Sequence, residues 1–104
     1  MPQFLYRIQL VRPAILVQGP TDLEASIIAE HFDYLANLVE KGVAFVVGRT
    51  LHKDERTFGI VIFMAASELE AESIMNSDPV VKHGVMKAEL FPFKIALWSS
   101  KGPA

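Results

Sequence analysis

The run Thr57-Phe58-Gly59-Ile60-Val61-Ile62-Phe63-Met64 alternates like a strand, yet both of its faces are apolar. Phe58, Ile60, Ile62 and Met64 lie on one face, and Gly59, Val61 and Phe63 on the other. A strand with two apolar faces has to be covered on both sides. In a chain of 104 residues, 51% of them hydrophobic, this points to a sheet with helices on one face and a further apolar layer on the other.

The flanking segments supply the helices. Phe4 to Val11 reads as a strand, with Phe4, Tyr6, Ile8 and Leu10 on one side, and Arg12-Pro13 ends it. The connection through Ala14-Ile15-Leu16-Val17 to Gln18-Gly19-Pro20 is too apolar for a solvated loop and is expected to fold over a pocket mouth or a neighbouring subunit. Thr21-Asp22-Leu23-Glu24 is a capping box that opens a helix to about Lys41, with Gly42 as a left-handed stop. The helix's apolar stripe reads Ile28, Phe32, Leu35 and Val39. Val43 to Leu51 is a second strand, His52-Lys53-Asp54-Glu55-Arg56 a hairpin loop and Thr57 to Met64 the third strand. Ser67-Glu68-Leu69-Glu70 is a second capping box, opening a helix to about Met75. Asp78-Pro79 breaks that helix, because the residue before proline disfavours the helical region. A short turn follows to Gly84. Val85 to Trp98 reads as a long last strand interrupted near Phe91-Pro92-Phe93, and 99–104 as a small, polar, flexible tail.

The order is βαββαβ, the α+β ferredoxin-like plan of one antiparallel sheet with two helices on one face, filled by a single domain over 1–104. Two helices cannot cover both faces. A homodimer packed sheet to sheet is the expected cover for the other.

Several functions are excluded or disfavoured. A net charge of −2 lacks the basic face that nucleic-acid binding needs. The absence of cysteine removes disulfides, thiol catalysis and thiolate metal sites. No apolar run reaches the ~18 residues of a membrane span, and Met1-Pro2-Gln3-Phe4 lacks the basic and apolar parts of a signal peptide. A cytoplasmic protein with no membrane contact is expected. HExxH, CxxC, an acidic calcium loop and GxSxG are absent, and Gly42, Gly48 and Gly59 are isolated. No metal and no cofactor are expected.

One titratable group stands out within the apolar pattern. His31 lies roughly 60° to the side of the first helix's stripe, on a flank shared with Ile27, Tyr34 and Leu38. An imidazole with an unperturbed pKa near 6.5 is a competent acid or base. A carboxylate on one ring nitrogen fixes the tautomer and leaves the other nitrogen for a substrate. Asp78, just past the second helix, is the candidate carboxylate. Alternatively, His31 is a core histidine bonded to a carbonyl, and Asp78 merely caps the Asp-Pro turn; spacing does not choose between the two. Arg7, Arg12 and Arg49 each present a planar donor fork suited to an anion, and Tyr34 lies one turn from His31. His52, in the hairpin tip, and His83, before Gly84, read as solvated.

The chain resembles the YciI-like (YCII-related) family over nearly its whole length. The resemblance rests on the N-terminal strand, on His31-Phe32-Asp33-Tyr34-Leu35 with Lys41-Gly42 and Gly48, on Ser67-Glu68-Leu69-Glu70-Ala71-Glu72 leading to Ser77-Asp78-Pro79-Val80-Val81 and Gly84-Val85, and on Phe91-Pro92-Phe93. It implies a dimeric α/β barrel with a pocket near a His-Asp pair, matched here by His31 and Asp78. It also implies chemistry like that of a dehydrochlorinase acting on a chlorinated hydroxyhydroquinone, or of muconolactone isomerases, which share the fold class. The chain departs from the family pattern at Ile28, where members often carry arginine, and at Gly48-Arg49, where they often read Gly-Pro. The expectation is therefore a cofactor-independent lyase or isomerase. His31 and Asp78 would be catalytic, and Arg12, Tyr34 and Arg49 substrate contacts. The alternative is a non-catalytic dimeric module that binds a small ligand or a protein.

Overall fold

The structure, a computed structural model, describes residues 1–103. Strand β1 spans Gln3–Leu10, helix α1 Ile15–Gln18, α2 Asp22–Glu40, β2 Ala44–Arg49, β3 Gly59–Met64, α3 Glu68–Ser77, α4 Pro79–Lys82 and β4 Met86–Phe93. The strands form one antiparallel sheet in the order β2-β3-β1-β4, the ferredoxin-like arrangement.

Alternation sets the two faces. On the helix-covered face, Tyr6 sits opposite Val61 on one side and Leu90 on the other, and Phe4 sits opposite Phe63 and Pro92. Phe4, Tyr6, Val61 and Phe63 are all buried. The ring of Phe63 meets Phe4 at 6.0 Å and Tyr6 edge-on at 5.6 Å. On the opposite face lie Leu5, Ile60, Ile62, Phe91 and Phe93, none of them fully buried. An Arg7–Glu89 ion pair at 3.2 Å crosses that face, with the Arg7 guanidinium 5.8 Å above the Phe58 ring. This face is the one the sequence expects a further layer to cover.

The caps follow the sequence closely at α2. Thr21 accepts from the Glu24 amide and Glu24 accepts from the Thr21 amide, and the helix ends before Gly42 at φ 75°. At α3 only half of the box forms: Ser67 Oγ accepts from the Glu70 amide at 3.1 Å.

Four expectations are corrected. The apolar connection at Ala14–Val17 contains the short helix α1, whose Ile15 packs with Ile27, Val80 and Val85. The turn after Asp78 is the short helix α4, with Asp78 as its N-cap and Pro79 in its first turn. The last strand runs through Pro92 on the sheet edge and stops at Phe93, because Phe93 pairs with Gln3, where β1 begins. The inward face of α2 is rotated from the expected stripe. Ile27, His31 and Leu35 face inward, whereas Phe32 is 63% and Val39 47% exposed. Of the tail at 99–104, residue 104 lies outside the described residues.

Candidate active site

His31 is at the centre of the inward face of α2, and the reason lies across the layer. Asp78, fully buried at the junction of α3 and α4, accepts from three donors. His31 Nδ1–H donates to Oδ1 at 2.7 Å, the Val80 amide donates to Oδ1 at 3.2 Å, and the Tyr6 hydroxyl donates to Oδ2 at 2.7 Å. A buried carboxylate has to be satisfied by such donors. This requirement turns His31 inward and leaves Phe32, its neighbour in the chain, to the solvent. Periodicity in the sequence carries no information on a partner 47 residues away.

The hydrogen bond to Asp78 fixes the tautomer: Nδ1 carries the proton, so the neutral ring has its lone pair on Nε2. Nε2 has no hydrogen-bond partner among the described residues, and it is not sealed from solvent. His31 lines a cavity of about 380 Å³ between α2, α1 and the sheet. The inner wall includes Ile8, Ile15, Leu35 and Val61, and the mouth includes the exposed Phe32, Gly48 and Arg49. Thr57 lines it as well, with its hydroxyl donating to the Thr50 carbonyl at 3.1 Å. Asp78 and Tyr6 stand behind His31 and do not line the cavity.

Burial first, then the neighbouring Asp78 charge and the hydrogen bond to it, push the Tyr6 phenol well above its ordinary range. Tyr6 therefore stays a donor. It was not singled out from the sequence, although a signal was there. It is the one hydroxyl on the apolar side of β1, between Phe4 and Ile8, and a phenol in such a place needs a partner.

The other sequence candidates separate. Arg49 lines the cavity. Arg12 does not: its Nε donates to Glu24 Oε2 at 3.1 Å and its Nη2 to the Gly19 carbonyl at 3.4 Å, fastening the end of β1 to the start of α2. Tyr34 points to the other helix, where its hydroxyl donates to the Ile74 carbonyl at 2.7 Å. Burial, and secondarily the charge of Asp78, push the Tyr34 phenol up to about 12. Arg7 is on the opposite face of the sheet. Among the described residues no cluster of three or more His, Asp or Glu side chains is placed to hold a metal ion, and no helix is long and apolar enough to cross a membrane.

Comparison with known proteins agrees with this architecture. The family model of the YCII-related domain matches residues 9–94. No curated protein sequence matches the chain. Among solved structures, the chain is similar to 5-chloro-2-hydroxyhydroquinone dehydrochlorinase from Burkholderia phenoliruptrix AC1100, solved in complex with 2,5-dihydroxybenzoquinone. The TM-score is 0.66 and the identity 28%, over 88% of this chain and 93% of that one.

Proposed function

The chain belongs to the YCII-related family, and we propose that it is a cofactor-independent small-molecule enzyme of lyase or isomerase type in which His31 moves the proton. The observation that carries this reading is the 2.7 Å bond from His31 to the buried Asp78, with the histidine's other nitrogen left to an apolar cavity. Nε2 takes a proton from a substrate carbon next to a carbonyl, and the C–H electron pair moves into the C=C bond of an enol or enolate. Return of the proton to a different carbon completes an isomerisation. Departure of a leaving group with its bonding pair completes an elimination, with the proton then passing from His31 to water. Asp78 orients the ring and stabilises the imidazolium formed in the step. The similar dehydrochlorinase, by its name, performs an elimination on a small ring compound.

The test is turnover of 5-chloro-2-hydroxyhydroquinone and related enolisable ring compounds, followed by chloride release and by uptake of solvent deuterium into substrate. His31→Ala and Asp78→Asn should each reduce the rate by roughly 10²–10⁴-fold while circular dichroism stays unchanged. Full activity in His31→Ala would overturn the mechanism. The alternative, a non-catalytic binding module, is favoured by the almost wholly apolar lining and predicts saturable binding without turnover.

The same proposal places a second copy of the chain on the open sheet face. Leu5, Ile60, Ile62, Phe91 and Phe93 offer an apolar surface that the helices do not cover. Sedimentation showing only monomer at micromolar concentration would rule that dimer out.

A further inference from the structure

The polar lining of the cavity consists of His31, Arg49 and Thr57. The Thr57 hydroxyl is held by Thr50, so two side chains are left with capacity for a ligand: the Nε2 of His31 and the guanidinium of Arg49. The charge pairing of the chain separates Arg49 from the other arginines. Arg7 is paired with Glu89, Arg12 with Glu24 and Arg56 with Asp54. Arg49 has no carboxylate partner and no side-chain hydrogen bond among the described residues. It lies at the end of the edge strand β2, at the cavity mouth, opposite Gly59 in the ladder with β3. Gly59 lets Ile8 pack close against β3 there: a Cβ on it would stand 3.1 Å from Ile8 Cγ1.

We propose that Arg49 anchors the anionic end of the ligand, and that the cavity takes a small amphipathic monoanion: one planar oxyanion, such as a carboxylate, on a compact apolar body of ring size. The assignment rests on reading the cavity as the active site and adds the class of molecule it accepts. The guanidinium fork matches a carboxylate in two parallel bonds. The volume is at the small end of ligand sites, which run from about 300 to 1,000 Å³. The apolar wall leaves a second negative charge without a partner, which disfavours dianions. With the anion held at the mouth, the apolar body extends inward past Phe32 and Ile28 toward His31.

Calorimetric titration of the purified protein with benzoate, benzamide and phthalate tests the assignment without any turnover. Benzoate should bind at least about tenfold more tightly than benzamide, and more tightly than phthalate. Arg49→Gln should remove the benzoate preference while keeping benzamide binding, and Arg49→Lys should restore part of it. Equal binding of benzoate and benzamide, a preference that survives Arg49→Gln, tighter binding of phthalate, or no saturable binding at millimolar concentration would each overturn the proposal. Benzoate binding to His31→Asn separates the two claims. Retained binding with lost turnover supports both. Arg49-dependent binding alongside full turnover in the His31 variant would sink only the proton-transfer reading.

Discussion

The helix-covered side of the sheet is built from one alternation pattern but has two unlike halves. In one half Phe4, Phe63, Ala65, Ala71 and Met75 pack into one buried cluster. In the other half, Ile8, Gly59 and Thr57 leave a cavity under α2. The contrast has two sources. At the filled end the cross-strand pair Phe4 and Phe63 puts two rings on the sheet face, whereas at the hollow end the position in β3 opposite Ile8 is Gly59, with no side chain at all. At the hollow end α2 also presents His31 inward and turns Phe32 away. The Tyr6–Asp78–His31 chain marks the boundary: the Tyr6 ring packs on Phe63 in the filled half, and the His31 ring lines the hollow one. One half is therefore a packed core and the other leaves a cavity beside His31.

The largest expected effect tests that division directly. Phe63→Ala empties a fully buried site and should cost about 3–5 kcal/mol. Phe32→Ala, at a residue 63% exposed on the cavity mouth, should stay within about 0.5 kcal/mol. Urea unfolding of the two variants gives the comparison. Equal losses would mean that the hollow half is packed against something, and the division into halves would fail.

The sequence makes the layers legible and the boundary between the halves only in part. Strand alternation, the Thr21 capping box and Gly42 are local signals, and the structure repeats them. Pro92, which lacks an N–H, signals an edge or a bulge, and the fold puts it on the edge strand β4. His31 and Asp78 could be nominated from residue type and resemblance, but their 2.7 Å contact is a property of the fold. The rotation of α2 was not legible. Ile28, Phe32, Leu35 and Val39 form the more hydrophobic stripe, and a buried carboxylate on another element overrides them. Arg12 and Arg49 look alike in sequence; only the positions of Glu24 and the cavity tell the clasp from the lining residue.

A smaller effect probes the boundary. Tyr6→Phe keeps the ring on Phe63 and removes the donor to Asp78 Oδ2. A hydrogen bond to a buried charged group is worth about 1.5–3 kcal/mol, and the variant should lose that much. Its pH dependence has a definite sign. The folded protein holds the Tyr6 proton above the ordinary phenol value of 10.0. The stability from this group is complete below that value and is lost as pH rises past it, where the unfolded chain ionises. Wild type should therefore weaken above pH 10 more steeply than Tyr6→Phe, whose remaining slope belongs to Tyr34, pushed up to about 12. Parallel alkaline slopes in the two proteins would show that the Tyr6 hydroxyl is not buried against Asp78.

The smallest effect lies at the rim of the hollow half. There the end of β1 is tied to the start of α2 by the Arg12–Glu24 pair. The Arg12 hydrogen bonds, with the one from the Thr21 amide next, lower the Glu24 carboxyl from its ordinary 4.5 to about 2. A lowered carboxyl stabilises the fold fully above its unfolded value, and the contribution falls away as pH drops toward the folded one. The advantage of wild type over Glu24→Gln in urea unfolding should thus be constant near neutrality and shrink between 4.5 and about 2. The pair is close to solvent, so added salt should shrink the difference as well. Phe63→Ala alters the filled half and leaves the clasp in place, so it should not change the size of this acid-dependent difference when combined with Glu24→Gln. Coupling between the two substitutions would show that the halves do not respond independently, even though they share one sheet.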